Sequence, residues 1–113
     1  MSSFFHDLME QKSMLLNEND SGRTINVRTG DNLTIRLKEN PTTGFQWAVG
    51  FAEGMELVMD RFDAGQGMGA TGIREFQFRA TQAGSYQILL KHWRAWEGET
   101  SVIARFVATI NVE

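Results

Sequence analysis

Leu33-Thr34-Ile35-Arg36-Leu37-Lys38 sets an apolar side chain at every second position and a polar one between. A two-residue period is that of a β-strand with one face buried and the other in water. The same alternation recurs downstream: Phe45, Trp47, Val49 and Phe51 share a face, as do Phe76, Phe78 and Ala80, then Tyr86, Ile88 and Leu90, and finally Ala104, Phe106, Ala108, Ile110 and Val112. Turn-forming groups part these runs, at Thr29-Gly30-Asp31, Gln82-Ala83-Gly84 and Glu97-Gly98-Glu99. Short half-buried strands separated in this way predict an all-β fold of two sheets packed face to face.

At 113 residues, 42% hydrophobic and 22% charged, the chain is of ordinary size and composition for one globular domain. Seven to eight short strands in that length match an immunoglobulin-like antiparallel β-sandwich, although periodicity alone leaves fibronectin-like and jelly-roll topologies open. A net charge of -3 and a pI near 5.4 argue against a nucleic-acid partner, which would need clustered Lys and Arg. There is no cysteine, hence no disulfide scaffold and no thiol nucleophile. No apolar run reaches the roughly 18 residues of a membrane span, so no membrane partner is expected. Ser2 to Asp7 lacks the basic start of a signal peptide. The compartment stays open: periplasmic or secreted if a leader was removed, otherwise cytoplasmic. Residues 1–20 read as an N-terminal extension into which the first strand can reach, with an amphipathic turn or a frayed end over Phe4 to Met14 (Phe5, Leu8, Met9, Lys12), and 21–113 as the single domain.

Between the strands lie three unusual loops. Asn40-Pro41-Thr42-Thr43-Gly44-Phe45 holds the chain's one proline, which fixes its own φ and extends Asn40, while Gly44 permits a turn closed to other residues. Alone, such a hexapeptide is more often an ordinary strand connection. Gly67-Met68-Gly69-Ala70-Thr71-Gly72 fits the G-x-G-x-x-G pattern of dinucleotide sites, but that site needs a following helix, and Ile73 to Phe78 alternates like a strand. The stretch from Ala64 to Gly72, rich in glycine and free of charge, reads as a mobile connection. Trp93-Arg94-Ala95-Trp96 combines the residue types most enriched at the energetic centres of interfaces. Trp93 is as readily a packed strand end as an exposed one, whereas Trp96, beyond the alternating run, is expected in solvent. The plainer expectation for Arg94 is that it stacks on Trp96 within its own loop.

His6 and His92 are the only histidines, and no H-E-x-x-H or G-x-S-x-G pattern occurs, so neither an enzyme nor a metal site is expected. Asp60 and Asp63 read as a solvated face. No cofactor is implied. A carbohydrate-binding or adhesion module using exposed Trp residues would explain Trp96 but not Asn40 to Gly44.

In order along the chain, Asn40-Pro41-Thr42-Thr43-Gly44, Gly69-Ala70-Thr71-Gly72 and Arg94-Ala95-Trp96 resemble the three loops of the chagasin-like inhibitors of papain-family cysteine peptidases, which carry NPTTG-type, GxGG-type and RPW-type motifs. The likeness runs from about Thr24 to Val112. Thr71 stands where a glycine is usual and Ala95 where a proline is, a change expected to loosen the third loop. The resemblance implies an immunoglobulin-like fold, a monomer when free, and reversible blockage of a papain-like peptidase. It places Thr42 and Thr43 over the catalytic Cys-His pair, with Asn40 and Gly44 shaping that loop. It further implies that Gly69 to Gly72 pair along the non-primed side of the cleft, and that Arg94 with Trp96 grips the primed side.

Overall fold

The computed structural model describes residues 13–65 and 71–113. Among them are eight strands and no α-helix: β1 (Ser13–Leu16), β2 (Thr24–Val27), β3 (Asn32–Glu39), β4 (Gln46–Ala52), β5 (Met55–Asp63), β6 (Gly72–Ala80), β7 (Gly84–Trp93) and β8 (Ala104–Val112). They form two four-stranded sheets, in the orders β1-β3-β6-β5 and β2-β8-β7-β4. The sheets are mixed where the alternation suggested antiparallel pairing throughout. β1 rises parallel to β3 in one sheet, the chain crosses over, and β2 descends parallel to β8 in the other. Most of the stretch expected to form a helical turn, Phe4 to Lys12, lies outside the described residues, while Ser13 and Met14 open β1.

The inward positions are those the alternation marks. Leu33, Ile35 and Leu37 of β3 meet Phe76 and Phe78 of β6, Ile88 and Leu90 of β7, and Phe106, Ala108 and Ile110 of β8 in one core. Each buried aliphatic or aromatic side chain contributes roughly 1.5–3 kcal/mol by leaving water. Two expectations fail locally. Ala104 is exposed at the start of β8, and the shared face of β4 ends at Val49. A bulge at Gly50 slips the pairing with β7, so Ala52 packs on the core and Phe51 is left 48% exposed. A second bulge sits between Leu57 and Met59 of β5. Both lie on edge strands, where irregular backbone discourages pairing with another chain.

One inward position of β3 is not apolar. Glu39 continues the series Leu33, Ile35, Leu37, and its side chain is 1% exposed. Its carboxylate accepts from Arg74 Nε at 3.2 Å and Arg74 NH2 at 2.9 Å, a two-pronged ion pair across β3 and β6. The same carboxylate accepts the backbone N–H of Trp47 at 2.7 Å, which belongs to the other sheet. Trp47 Nε1 returns a bond to the Lys38 carbonyl at 3.0 Å. Arg74 also reaches Asp60 of β5 at 3.2 Å. Burial alone would make the guanidinium easier to deprotonate, but its bonds to Glu39 and Asp60 outweigh that and hold its pKa above the ordinary value. One buried carboxylate thereby joins three strands and both sheets.

Glu39→Leu removes one partner of a buried pair and orphans the Trp47 N–H. Because Asp60 still serves Arg74, the loss of stability should fall near the low end for such pairs, about 3 kcal/mol. Chemical denaturation with an unchanged m-value checks it, and a loss under about 1 kcal/mol would show that the clasp is dispensable.

Candidate functional site

Strand direction decides where the loops emerge. Glu39, at the end of β3, pairs with Gly72, at the start of β6, and Asp63, at the end of β5, pairs with Ile73. Gln46, which opens β4, pairs with Trp93, which closes β7, and His92 pairs with Ala104. The connections β3–β4, β5–β6 and β7–β8 therefore leave from one pole of the sandwich, the pole closed by the Glu39 clasp.

The first connection is a capped turn. Asn40 is extended, Pro41–Thr43 form one 3-10 turn, and Gly44 ends it in the left-handed region at φ 79°. Asn40 Oδ1 accepts from Thr42 N–H at 3.1 Å and from the Thr42 hydroxyl at 2.8 Å. The Thr43 hydroxyl donates to the Asn40 carbonyl at 2.9 Å, and Gly44 N–H to the Pro41 carbonyl at 3.3 Å. Proline at the first helical position and a side-chain cap before it are the usual means of fixing such a start. Asn40, Pro41, Thr42 and Thr43 are exposed, and Phe45 is half-buried.

The third connection locks onto the first. Arg94 donates from Nε at 3.1 Å and NH2 at 3.0 Å to a single acceptor, the Thr43 carbonyl, and its guanidinium lies 4.3 Å from the centre of the Phe45 ring. Arg94 thus stacks on Phe45 of the neighbouring loop, not on Trp96 as its own sequence suggested. Trp96 is 73% exposed and rests its edge on Gly44: a Cβ added there would lie 2.7 Å from Trp96 Cη2. Gly44 is required twice, by its positive φ and by this contact. In place of the expected proline, Ser101 ties the loop. Its hydroxyl accepts Arg94 N–H at 3.0 Å and donates toward the Gly98 carbonyl at 2.6 Å. Ala95 is exposed within a 3-10 turn, and Trp93 is half-buried with Lys91 Nζ 3.4 Å above its ring.

Of the second connection, Gly69 and Ala70 lie outside the described residues, as does most of the glycine-rich stretch expected to be mobile. Thr71 is exposed. Gly72 is buried and opens a strand, not a helix, consistent with the rejection of a dinucleotide site; any Cβ there would collide with the Phe62 ring. Its lack of a side chain serves internal packing.

Beneath the first loop sits His92. Its ring stacks on Trp47, with centroids 4.7 Å apart and planes 13° from parallel, and meets Phe45 edge-on at 5.9 Å. Burial lowers its pKa below the ordinary histidine value of 6.5, against the opposing pull of the Glu39 charge and of a hydrogen bond that the ring donates to the Phe45 backbone carbonyl. Glu39, Arg74, His92 and Ser101 were not singled out as site residues by the sequence. The first two could have been, since each falls on an inward position of its strand, where a charge requires a partner.

The family described as "Chagasin family peptidase inhibitor I42" matches residues 26–110. Amoebiasin-1 of Entamoeba histolytica is 36% identical over 87 residues, 74% of this chain and 84% of that protein. Chagasin of Trypanosoma cruzi is 30% identical over 94 residues, 76% of this chain and 86% of that protein. The crystal structure of the cysteine protease inhibitor EhICP2 from Entamoeba histolytica has the same fold, with a TM-score of 0.83 over 91% of this chain and 97% of that one at 23% identity. Together with the three connections gathered at one pole, the match over most of the chain places it, as an inhibitor and not an enzyme, in the chagasin family of peptidase inhibitors.

Proposed function

We propose that this inhibitor of cysteine proteases blocks papain-like peptidases by lodging the loop-bearing pole of its sandwich in the substrate cleft. The observation that carries this reading is the cross-link from Arg94 to the Thr43 carbonyl beside an exposed Trp96. Two loops remote in sequence are thereby held as one surface before any partner arrives. Pre-ordering of this kind lowers the conformational cost of association.

The same bonds explain how a peptide loop can occupy a peptidase without being cut. Cleavage requires a carbonyl carbon within reach of the thiolate and its oxygen aimed at the oxyanion donors. In the first loop the carbonyls of Asn40, Pro41 and Thr43 already accept bonds from Thr43, Gly44 and Arg94. Turning any of them toward an oxyanion site breaks the internal bond that shapes the loop. The exposed side chains of Thr42 and Thr43 fill the space over the catalytic pair, and Trp96 with Arg94 supplies contact on the primed side. Phe45 backs Arg94 from below, and the second connection, where Thr71 is exposed, completes the contact on the non-primed side. An interface of this kind buries about 800 Å² per partner. The family match favours this reading over sugar binding by Trp96.

Titration of papain with the purified chain should give stoichiometric loss of activity, and activity retained at molar excess would reject the proposal. Trp96→Ala should weaken inhibition by around 2 kcal/mol, roughly thirtyfold. An unchanged inhibition constant would remove Trp96 from the interface. Arg94→Lys keeps the charge but loses the planar fork that holds Thr43 and covers Phe45. It should raise the inhibition constant about tenfold, whereas a full retention of affinity would mean that only the charge matters.

A further inference from the structure

Among the described residues, the only buried side-chain nitrogen or oxygen without a hydrogen-bond partner is His92 Nε2. Its position is central. The ring touches Phe45 and Trp47 at the base of the first loop, and the His92 carbonyl accepts Ile103 N–H at 2.9 Å at the close of the third. Two residues further on begins the tie between Arg94 and Thr43.

An uncharged imidazole suits this slot. A proton on Nε2 would create a buried charged donor with no hydrogen-bond acceptor beside it. The Trp47 face attracts a cation, but a ring face does not replace a missing acceptor for a charged N–H. The surrounding charges are already engaged. From β3 comes Glu39, bound to Arg74 of β6 and to Trp47 N–H. From the third loop comes Arg94, spread over Phe45 and joined to Glu97. Lys91, next to His92 on β7, is paired with Glu99, as is Arg105 of β8. β4 contributes only Phe45, before its start, and Trp47, and β8 faces His92 with Ala104.

We infer that His92 is a positioning residue for inhibition: its neutral ring, stacked on Trp47, seats Phe45 at the base of the first loop, and proton uptake there unseats that loop and weakens the hold on the peptidase. The inference rests on the mode of inhibition proposed above. Because the folded-state pKa lies below 6.5, the contribution of the neutral ring is fully present above about pH 6.5 and is lost as pH falls through that lower value. Inhibitory grip therefore declines in acid.

Inhibition constants of the full chain and of His92→Phe are measured against papain at about pH 7.5 and about pH 5. Taking the ratio of the unmodified chain to the variant at each pH cancels the titration of the peptidase itself. The ratio should rise about tenfold on acidification, because phenylalanine has no proton to take up. A ratio that stays constant overturns the inference alone, and no inhibition by the unmodified chain at either pH overturns the mode of inhibition on which it rests. NMR of the free, unmodified chain gives an answer even if the variant fails to fold. The Phe45 and Thr43 amide signals should move in step with a His92 titration centred below about pH 6.5. A titration at the ordinary value with those amides unmoved overturns the inference.

Discussion

A single carboxylate holds the loop-bearing pole together. Glu39 binds Arg74 across its own sheet and the Trp47 backbone in the other, at the point where β3 hands the chain to the first loop. Burying such a charge is costly, and the cost is offset only because three N–H donors converge on it. Replacing Glu39 and Arg74 together by apolar residues would close the core as well or better, but it would not fix the angle at which β4 departs. We read the clasp as a device for placing the loop, retained at some expense in stability.

Above this base the protein divides its labour by exposure. Asn40 Oδ1, the Thr43 hydroxyl, the Ser101 hydroxyl and the Arg94 guanidinium are spent on internal bonds that set loop shape. Among the described residues of this pole, the threonine side chains of the first loop and the indole of Trp96 stay exposed. Side chains that lose little freedom on contact give the most affinity for their area, and a tryptophan braced on Gly44 is one. Arg94, which the resemblance placed in the interface, is committed to the first loop through the Thr43 carbonyl.

Much of this was legible beforehand. Alternation gave the inward faces of β3, β6, β7 and β8, because a side chain every second residue is a local property of extended backbone. It failed at Phe51, where a bulge shifts the phase, and a bulge depends on the partner strand as much as on the residue that bulges. The parallel pairing of β1 and β2 likewise depends on which strand is next to them in space. Glu39 and Arg74 were visible as charges on inward positions, yet nothing along the chain said that they face each other across 35 residues of sequence separation.

The amino-acid sequence by itself determined the strands, their buried faces, the three loop motifs and, through those motifs in order, the family. Each of these is encoded in residues near one another along the chain, where backbone sterics and hydrophobic period act directly. Only the tertiary structure decided that Arg94 serves Thr43 and Phe45 in place of Trp96, that Ser101 stands in for a missing proline, and that the His92 ring packs on Trp47 and Phe45 beneath the first loop. Those outcomes turn on distances between segments that the chain brings together only when both sheets close on a common core.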